Sequence, residues 1–522
     1  MLLGAPSCIN GNLWEQYDEY LREKEAESKW IPSECTYAEI GIKTFKAYAE
    51  DNENLLGDLS FVYKDQYNCF CNVHHYILED KRLTITFNAT AARIEVNGEE
   101  IESNVFKADF TNPVILTFYA SDGQSRDVTF TLTQQEVDTE SNIPVINIAI
   151  ASQTKGKEWT EATIRAVSPT SGKPDLSYTA DIKLRGHNSY SISKKSYTIR
   201  SPEKISFLGM PLSKRWTLIA NGSDRTLLRN RVAYELASRT ALAWTPRTRH
   251  CVLLINGSYR GLYLATEQIR VGKNRVNITE MEKGDTTGIA LTGGYLLEFD
   301  RYEDEKPFRT ALRDIPVNIK SPNDEILSEK QQKYIENYLK QTEELIYAND
   351  SPDPSYKDYI DIASFVDVWI VLELTHCREA RLPGSVWYYK DRGGKLFAGP
   401  VWDFDLTTFT NSKDFILYDY EITDFSVDER SIWYSRLFKD PEFKALAKER
   451  WQLYYPSFAD IPAYIDAEAA VIKNAAAENY SLWRSISSSN SDKDLSWEEA
   501  VEKMKQSYLT RLEALNEKIM AW

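Results

Sequence analysis

The 522-residue sequence predicts an α+β protein: a small immunoglobulin-like β-sandwich, then a larger mixed unit with a helical C-terminal part. Three observations carry this. Between Arg82 and Gln134 apolar and polar residues alternate with a period of two, the pattern of half-buried strands. After Ile143-Pro144 strand-like runs mix with 3.6-residue periodicities. From Pro441 onward the helical period prevails, broken by the Ser/Asn-rich stretch Ser485–Ser496.

Taken in order, Asn12–Ser28 reads as a helix, because Leu13, Trp14, Tyr17 and Leu21 recur on one face among charged neighbours. The sandwich strands are Leu83-Ile85-Phe87, Ile94-Val96, Val114-Leu116-Phe118 and Val128-Phe130-Leu132. Asn97-Gly98 and Asp122-Gly123 punctuate them as hairpin turns. Strands then follow at Val145–Ile150, Tyr178–Leu184, Cys251–Ile255, Gly261–Leu264 and Gly294–Phe299. Helices are expected at Ser223–Arg239, Asp324–Tyr347 and Ile362–Thr375, the second with Ser321 as N-cap and Pro322 in its first turn. The expected division is residues 1–78 as an N-terminal helix and extension, 79–138 as the sandwich, and 140–522 as a unit large enough for a two-lobed enzyme.

Composition removes several functions. The 62 basic and 78 acidic residues give a net charge of −16 with no long basic run, which argues against a nucleic-acid partner. No apolar run approaches the length of a membrane span. The six cysteines and five histidines show neither zinc spacing nor HExxH. Cys8, behind small residues, has the setting of a lipid-anchor cysteine. The 13 Trp, 31 Tyr and 20 Phe suit sugar- or protein-facing surfaces and large cores alike. P-loop, Rossmann, nucleophile-elbow and zincin signatures are all missing.

The segment Gly399-Pro-Val-Trp-Asp-Phe-Asp405 stands out. On an extended strand Asp403 and Asp405 would point to one face, with Phe404 turned into the core. Carboxylates in such apolar company bind a metal, accept several hydrogen bonds or move protons. A short Asp-x-Asp is also ordinary turn chemistry. Upstream lie Ile182-Lys-Leu-Arg-Gly-His-Asn-Ser-Tyr190 and Lys194-Lys-Ser-Tyr-Thr-Ile-Arg200, a strand, a small polar turn and a lysine-led strand. Backbone amides in such a turn cradle phosphate oxygens in some proteins, but taken alone the segment reads first as a plain hairpin with solvated basic residues.

The ordered set of Arg185-Gly186…Ser189…Lys194-Lys195-Ser-Tyr, Leu227-Leu-Arg-Asn230, Asn256-Gly-Ser-Tyr-Arg-Gly-Leu-Tyr-Leu-x-x-Glu267 and Pro400-x-Trp-Asp-x-Asp405 resembles the spore-coat-protein-H-like (CotH) kinase family. The resemblance covers roughly residues 180–415. It implies an atypical protein-kinase-like fold, secreted or lipid-anchored at the cell surface, that binds ATP with Mg²⁺ or Mn²⁺ and phosphorylates a protein or glycan acceptor there. Position by position, it assigns Arg185, Gly186 and Ser189 to the phosphate-side turn, and Lys195, or Lys194 one residue out of phase, to the phosphate lysine. Glu235 becomes that lysine's helix partner. Phe397 and Tyr263 become faces for adenine. Asp403, with Asp405, becomes the metal ligand.

Departures accompany the matches. The family's catalytic base is commonly Asp, and the only carboxylate in the corresponding window is Glu379, one methylene longer. A second metal ligand has only Ser385 nearby, a weaker donor than an amide or carboxylate. Thr410 stands where Gly usually follows the Asp-x-Asp. The competing readings are a non-catalytic surface or adhesion protein with a degenerate kinase lobe, and a glycosyltransferase holding Mn²⁺ on Asp403 and Asp405. The latter lacks the β-α-β run expected before such a motif.

Overall fold

The alternating segments pair as their periodicity requires. In the computed structural model, residues 30–49, 51–52, 55–56, 58–73, 78, 80–134, 143–150, 158–167, 174–186, 192–303, 307–377, 384–406, 408–410, 421–426, 431–483 and 490–522 are described. The expected helix at Asn12–Ser28 and Cys8 lie outside them. The chain divides into two compact units, residues 1–184 with 199–202 and 250–262, and residues 185–198 with 203–249 and 263–522. The fold is mixed α+β.

In the first unit β1 (Gly41–Ala47), β2 (Leu59–Ser60) and β6 (Thr86–Thr90) form a sheet in the order β2-β1-β6. A six-stranded sheet follows the order β3-β4-β11-β10-β7-β8. Its members are β3 (Val62–Asp65), β4 (Asn68–Val73), β7 (Arg93–Val96), β8 (Glu99–Glu100), β10 (Val114–Tyr119) and β11 (Ser125–Gln134). β5 (Arg82–Thr84) pairs with β9 (Lys107–Asp109). Among the described residues only β4 and β11 run parallel in these sheets. The inward residues of each alternation meet as aromatics. Phe45 stacks on Phe130 at 4.0 Å between centroids and meets Phe61 edge-on at 5.2 Å. The Asn97-Gly98 turn joins β7 to β8 with both residues at positive φ, as a tight hairpin demands, and Gly123 plays that part between β10 and β11. Further on, β12 (Val145–Ala149) lies antiparallel to β13 (Thr160–Val167) and parallel to β17 (Thr248–Ile255); β13 pairs with β14 (Pro174–Arg185), which β15 (Ser196–Ile205) follows in the chain.

In the second unit Trp216–Ile219 of β16 (Ser213–Ile219) pairs with Leu264–Glu267 of β18 (Ser258–Glu267). A five-stranded antiparallel sheet has the order β20-β21-β19-β22-β23. It comprises β19 (Tyr295–Phe299), β20 (Phe308–Arg309), β21 (Pro316–Ser321), β22 (Val386–Lys390) and β23 (Leu396–Ala398). The helix Ile362–Leu374 is buried at every residue from Ser364 on, and Asp361 caps it by accepting from the Ser364 amide at 2.8 Å. Its Glu373 is fully buried against Arg511 of the helix Trp497–Met520, whose guanidinium also donates to the carbonyls of Glu373, Ile422 and Asp424. Helices Pro441–Phe458 and Ile461–Leu482 complete the C-terminal part.

Two helix starts differ from the sequence reading. The helix expected from Asp324 begins at Glu329, and its N-cap is Ser328, not Ser321. Ser328 and Gln331 bond each other's backbone in a capping box, while Ser321 ends β21. The helix expected from Ser223 begins at Arg229. The preceding turn is held instead by Asp224, which accepts from the Thr226 amide and hydroxyl at 2.9 and 2.7 Å. No helix among the described residues is long and apolar enough to cross a membrane.

Candidate functional site

The Asp-x-Asp segment departs from its expected conformation. Strand β23 stops at Ala398, and the chain passes through a cis Gly399–Pro400 bond into irregular backbone where Asp403 has a φ of 68°. Asp403 and Asp405 are therefore not successive same-face positions of a strand. The left-handed region costs a non-glycine residue about 1–2 kcal/mol, least for Asp and Asn. It persists here because its neighbours are pinned. Trp402 is largely buried, and Phe404 is fully buried and edge-on to Tyr234 at 6.1 Å and 87°. The Phe404 amide, between the two aspartates, donates to Asn230 Oδ1 at 2.8 Å. The turn still brings the two carboxyl groups within hydrogen-bonding reach of each other.

The Leu-Leu-Arg-Asn motif supplies those pins. Arg229 and Asn230 open their helix and are almost fully buried. Asn230 Nδ2 donates to Asn221 Oδ1 at 2.9 Å, which fixes the amide's orientation toward Phe404. Arg229 Nε donates to the Thr408 carbonyl at 3.0 Å, and its terminal nitrogens pair with Asp224 and, at 2.9 Å, with Asp492. The planar fork serves these three acceptors from three separate nitrogens, a spread that the single ammonium nitrogen of a lysine does not offer.

Charge is concentrated around the aspartates. Asp403 reaches solvent on one side and Asp405 is half-buried. Dehydration by surrounding protein raises the Asp403 carboxyl above its ordinary range; the Arg185 guanidinium opposes the rise and Asp300 adds to it. Asp405 is raised further, first by dehydration and then by the negative charges of Asp403 and Asp224. Arg185 lies over the Trp402 ring at 5.2 Å. Asp300, at the end of β19, is 6% exposed and accepts from the amides of Ser385 at 3.0 Å and Tyr302 at 2.9 Å. Ser385, with a φ of 54°, thus meets the site through Asp300, to which its hydroxyl is 3.5 Å. The Tyr234 hydroxyl is buried without a well-formed hydrogen bond, and dehydration followed by the Asp403 charge keeps it protonated far above its ordinary range.

The other expected residues have these surroundings. Lys194 is buried with its ammonium 4.7 Å from the centre of the Tyr263 ring, while Lys195 is half-buried and its carbonyl accepts from the Tyr263 hydroxyl at 2.9 Å. Tyr263 itself is 2% exposed. Glu235 pairs with Arg239 one turn along its helix at 2.9 Å. Phe397 is half-buried and stacks on its cross-strand partner Tyr389 at 5.2 Å and 11°. Gly186 has a φ of 104°. Ser189 and Glu379 lie outside the described residues. Val368, Leu372, Ser385, Pro400, Trp402 and Phe404 help line a largely apolar recess of about 20 Å³. Among the described residues no group of three or more His, Cys, Asp or Glu side chains is arranged to hold a metal ion.

No motif in the sequence marks Asp300, Asp224 or Tyr234 as part of the site. Asp300 carried one signal: an acidic residue at the carboxyl end of a predicted strand.

A family model described as CotH kinase protein matches residues 182–515, well over half of the chain. The chain belongs to the CotH kinase family. The matched span opens three residues before Arg185 and runs past Arg511, so the C-terminal helices are part of the CotH unit. Membership in the CotH family brings with it a kinase-like function. No curated protein matches the chain.

Proposed function

We propose that this CotH protein binds ATP with a divalent cation and transfers the terminal phosphoryl group to a hydroxyl on an extracytoplasmic protein acceptor. The observation that carries the proposal is the Asp403–Asp405 pair. Two carboxyl groups lie within reach of each other, both raised in pKa, with Arg185 alongside. Two like charges so placed favour a shared proton or a cation between them. The donor set fits Mg²⁺ or Mn²⁺ bound with a nucleotide, because such ions are held by one or two carboxylates and complete their shell with phosphate oxygens and water. Two carboxylates suffice for that, and a cage of three protein ligands is not required.

In this reading Asp403 and Asp405 hold the metal, which neutralises phosphate charge. Arg185 and Lys195, or Lys194, face the phosphates, and Glu379 orients the acceptor hydroxyl. Catalysis is then largely positioning and electrostatics. We read residues 140–522 as the two-lobed kinase-like domain and the strands after Arg82 as an immunoglobulin-like spacer that presents it at the cell surface. The extracytoplasmic setting rests on the family resemblance. Calorimetry of ATP with Mg²⁺ or Mn²⁺ against the unsubstituted protein and Asp403→Ala tests the site. Metal-dependent ATP uptake should be lost in the variant, and equal affinity in both would refute the assignment. Uptake without phosphate transfer from labelled ATP would favour a non-catalytic surface protein.

A further inference from the structure

The polar stretch before the last helix reads in the sequence as a mere break, yet its first described residue reaches into the site. Asn490 is fully buried. Its Nδ2 donates to the Asp405 carbonyl at 2.8 Å and to the Ser223 carbonyl at 3.2 Å. Its Oδ1 accepts from the Thr408 amide at 3.2 Å, and its own carbonyl accepts from the Thr410 hydroxyl at 2.9 Å. Two residues on, Asp492 pairs with Arg229, which holds the Thr408 carbonyl. The loop that follows Asp403 is therefore tied, through the backbone at Asp405 and Thr408 and through the Thr410 hydroxyl, to one short segment before the helix Trp497–Met520. An amide is the side chain that fits, since it offers two donors to carbonyls and one acceptor to an N–H.

We propose that Asn490 is a positioning residue for the Asp403–Asp405 site: it fixes the loop backbone so that the two carboxyl groups keep their mutual reach. The proposal deepens the metal–nucleotide reading above and rests on it for its functional consequence. Asn490→Asp keeps the acceptor, removes both donors and sets a negative charge against two carbonyl oxygens. Asn490→Ser removes the side-chain contacts without adding charge.

The test has two arms on the full chain. In hydrogen exchange, both variants should open the amides of residues 404–410 at least tenfold faster than the unsubstituted protein, while amides of the helix Ile362–Leu374 keep their rates. In Mn²⁺ titration with ATP, both should bind the ion at least tenfold more weakly, Asn490→Asp the more so. Unchanged exchange over 404–410 overturns the clamp. Faster exchange with unchanged Mn²⁺ affinity also overturns it, since the loop would then be tied for stability alone. Failure of the unsubstituted protein to take up Mn²⁺ with ATP would instead refute the functional reading, and the exchange arm would still decide whether Asn490 holds the loop.

Discussion

Replacing Arg229 by methionine tests the framework of the site most directly. The guanidinium is 1% exposed and its partners Asp224 and Asp492 are 0% exposed, so neither carboxylate can turn to water when the cation goes. Removing one partner of a buried ion pair costs about 3–5 kcal/mol, because the charge left behind stays dehydrated. The Thr408 carbonyl also loses its donor, a further penalty of about 1–3 kcal/mol for a buried group. These terms overlap, and a net loss of at least about 4 kcal/mol is expected, a large part of the 5–15 kcal/mol that holds a typical domain. Arg229→Lys keeps the charge but not the fork, and should fall between. Adding Asp492→Asn to Arg229→Met removes one stranded charge and should restore about 1–2 kcal/mol, a coupling that a double-mutant cycle in urea isolates. A loss under about 1 kcal/mol for Arg229→Met, or no recovery in the double variant, would refute the view that a buried charge network supports the loop.

Two further perturbations probe a buried lysine and the entry to the Asp-x-Asp segment. Lys390 is buried with its ammonium 4.7 Å from the Tyr338 ring, and dehydration pushes its pKa down to about 8 from 10.5. The unfolded chain therefore binds more protons between pH 8 and 10.5, so this group makes stability rise with pH across that window, by up to about 3 kcal/mol. Lys390→Met should flatten the rise and stabilise the protein at pH 7, less the cost of leaving the Thr292 carbonyl without its donor; denaturation curves of equal slope against pH for both proteins would rule this out. Gly399 has a φ of +99°, and an added Cβ would sit in ordinary contact 3.5 Å from Leu242 and Val368. Gly399→Ala should thus lower stability by about 1–2 kcal/mol through backbone strain alone, and an unchanged melting temperature would contradict that.

Local chemistry was legible and distant partners were not. Asn97-Gly98 and Asp122-Gly123 marked their hairpins because the turn needs positive φ wherever it occurs. The capping box Ser328-Glu-Lys-Gln331 was equally local, but Ser321-Pro322 offered a competing start seven residues earlier. Tertiary pairing decided between them, since Ser321 is taken up by Leu296 in the sheet. For the Asp-x-Asp segment, the strand inference failed because Asn230, 174 residues away, captures the Phe404 amide and lets the backbone turn at Asp403. Burial of Phe404 follows from its own chemistry. Asp300 and Asn490 entered the site through bonds spanning 85 residues each, to Ser385 and Asp405, and no periodicity or short motif encodes such distances.

The ties of Asn490 also have a consequence in time. Its bond to Ser223 spans 267 residues, and Arg511 reaches back 138 residues to Glu373. Chain is made from the N-terminus, and domains assemble as their parts emerge. The scaffold is thus delivered in two instalments, Asn221 to Asn230 before Asp403 and Asp405, and Asn490 to Arg511 after them. Until the second arrives, the acidic loop lacks half of its scaffold and Glu373 lacks its counter-charge. Order of synthesis therefore withholds the completed site from a nascent chain.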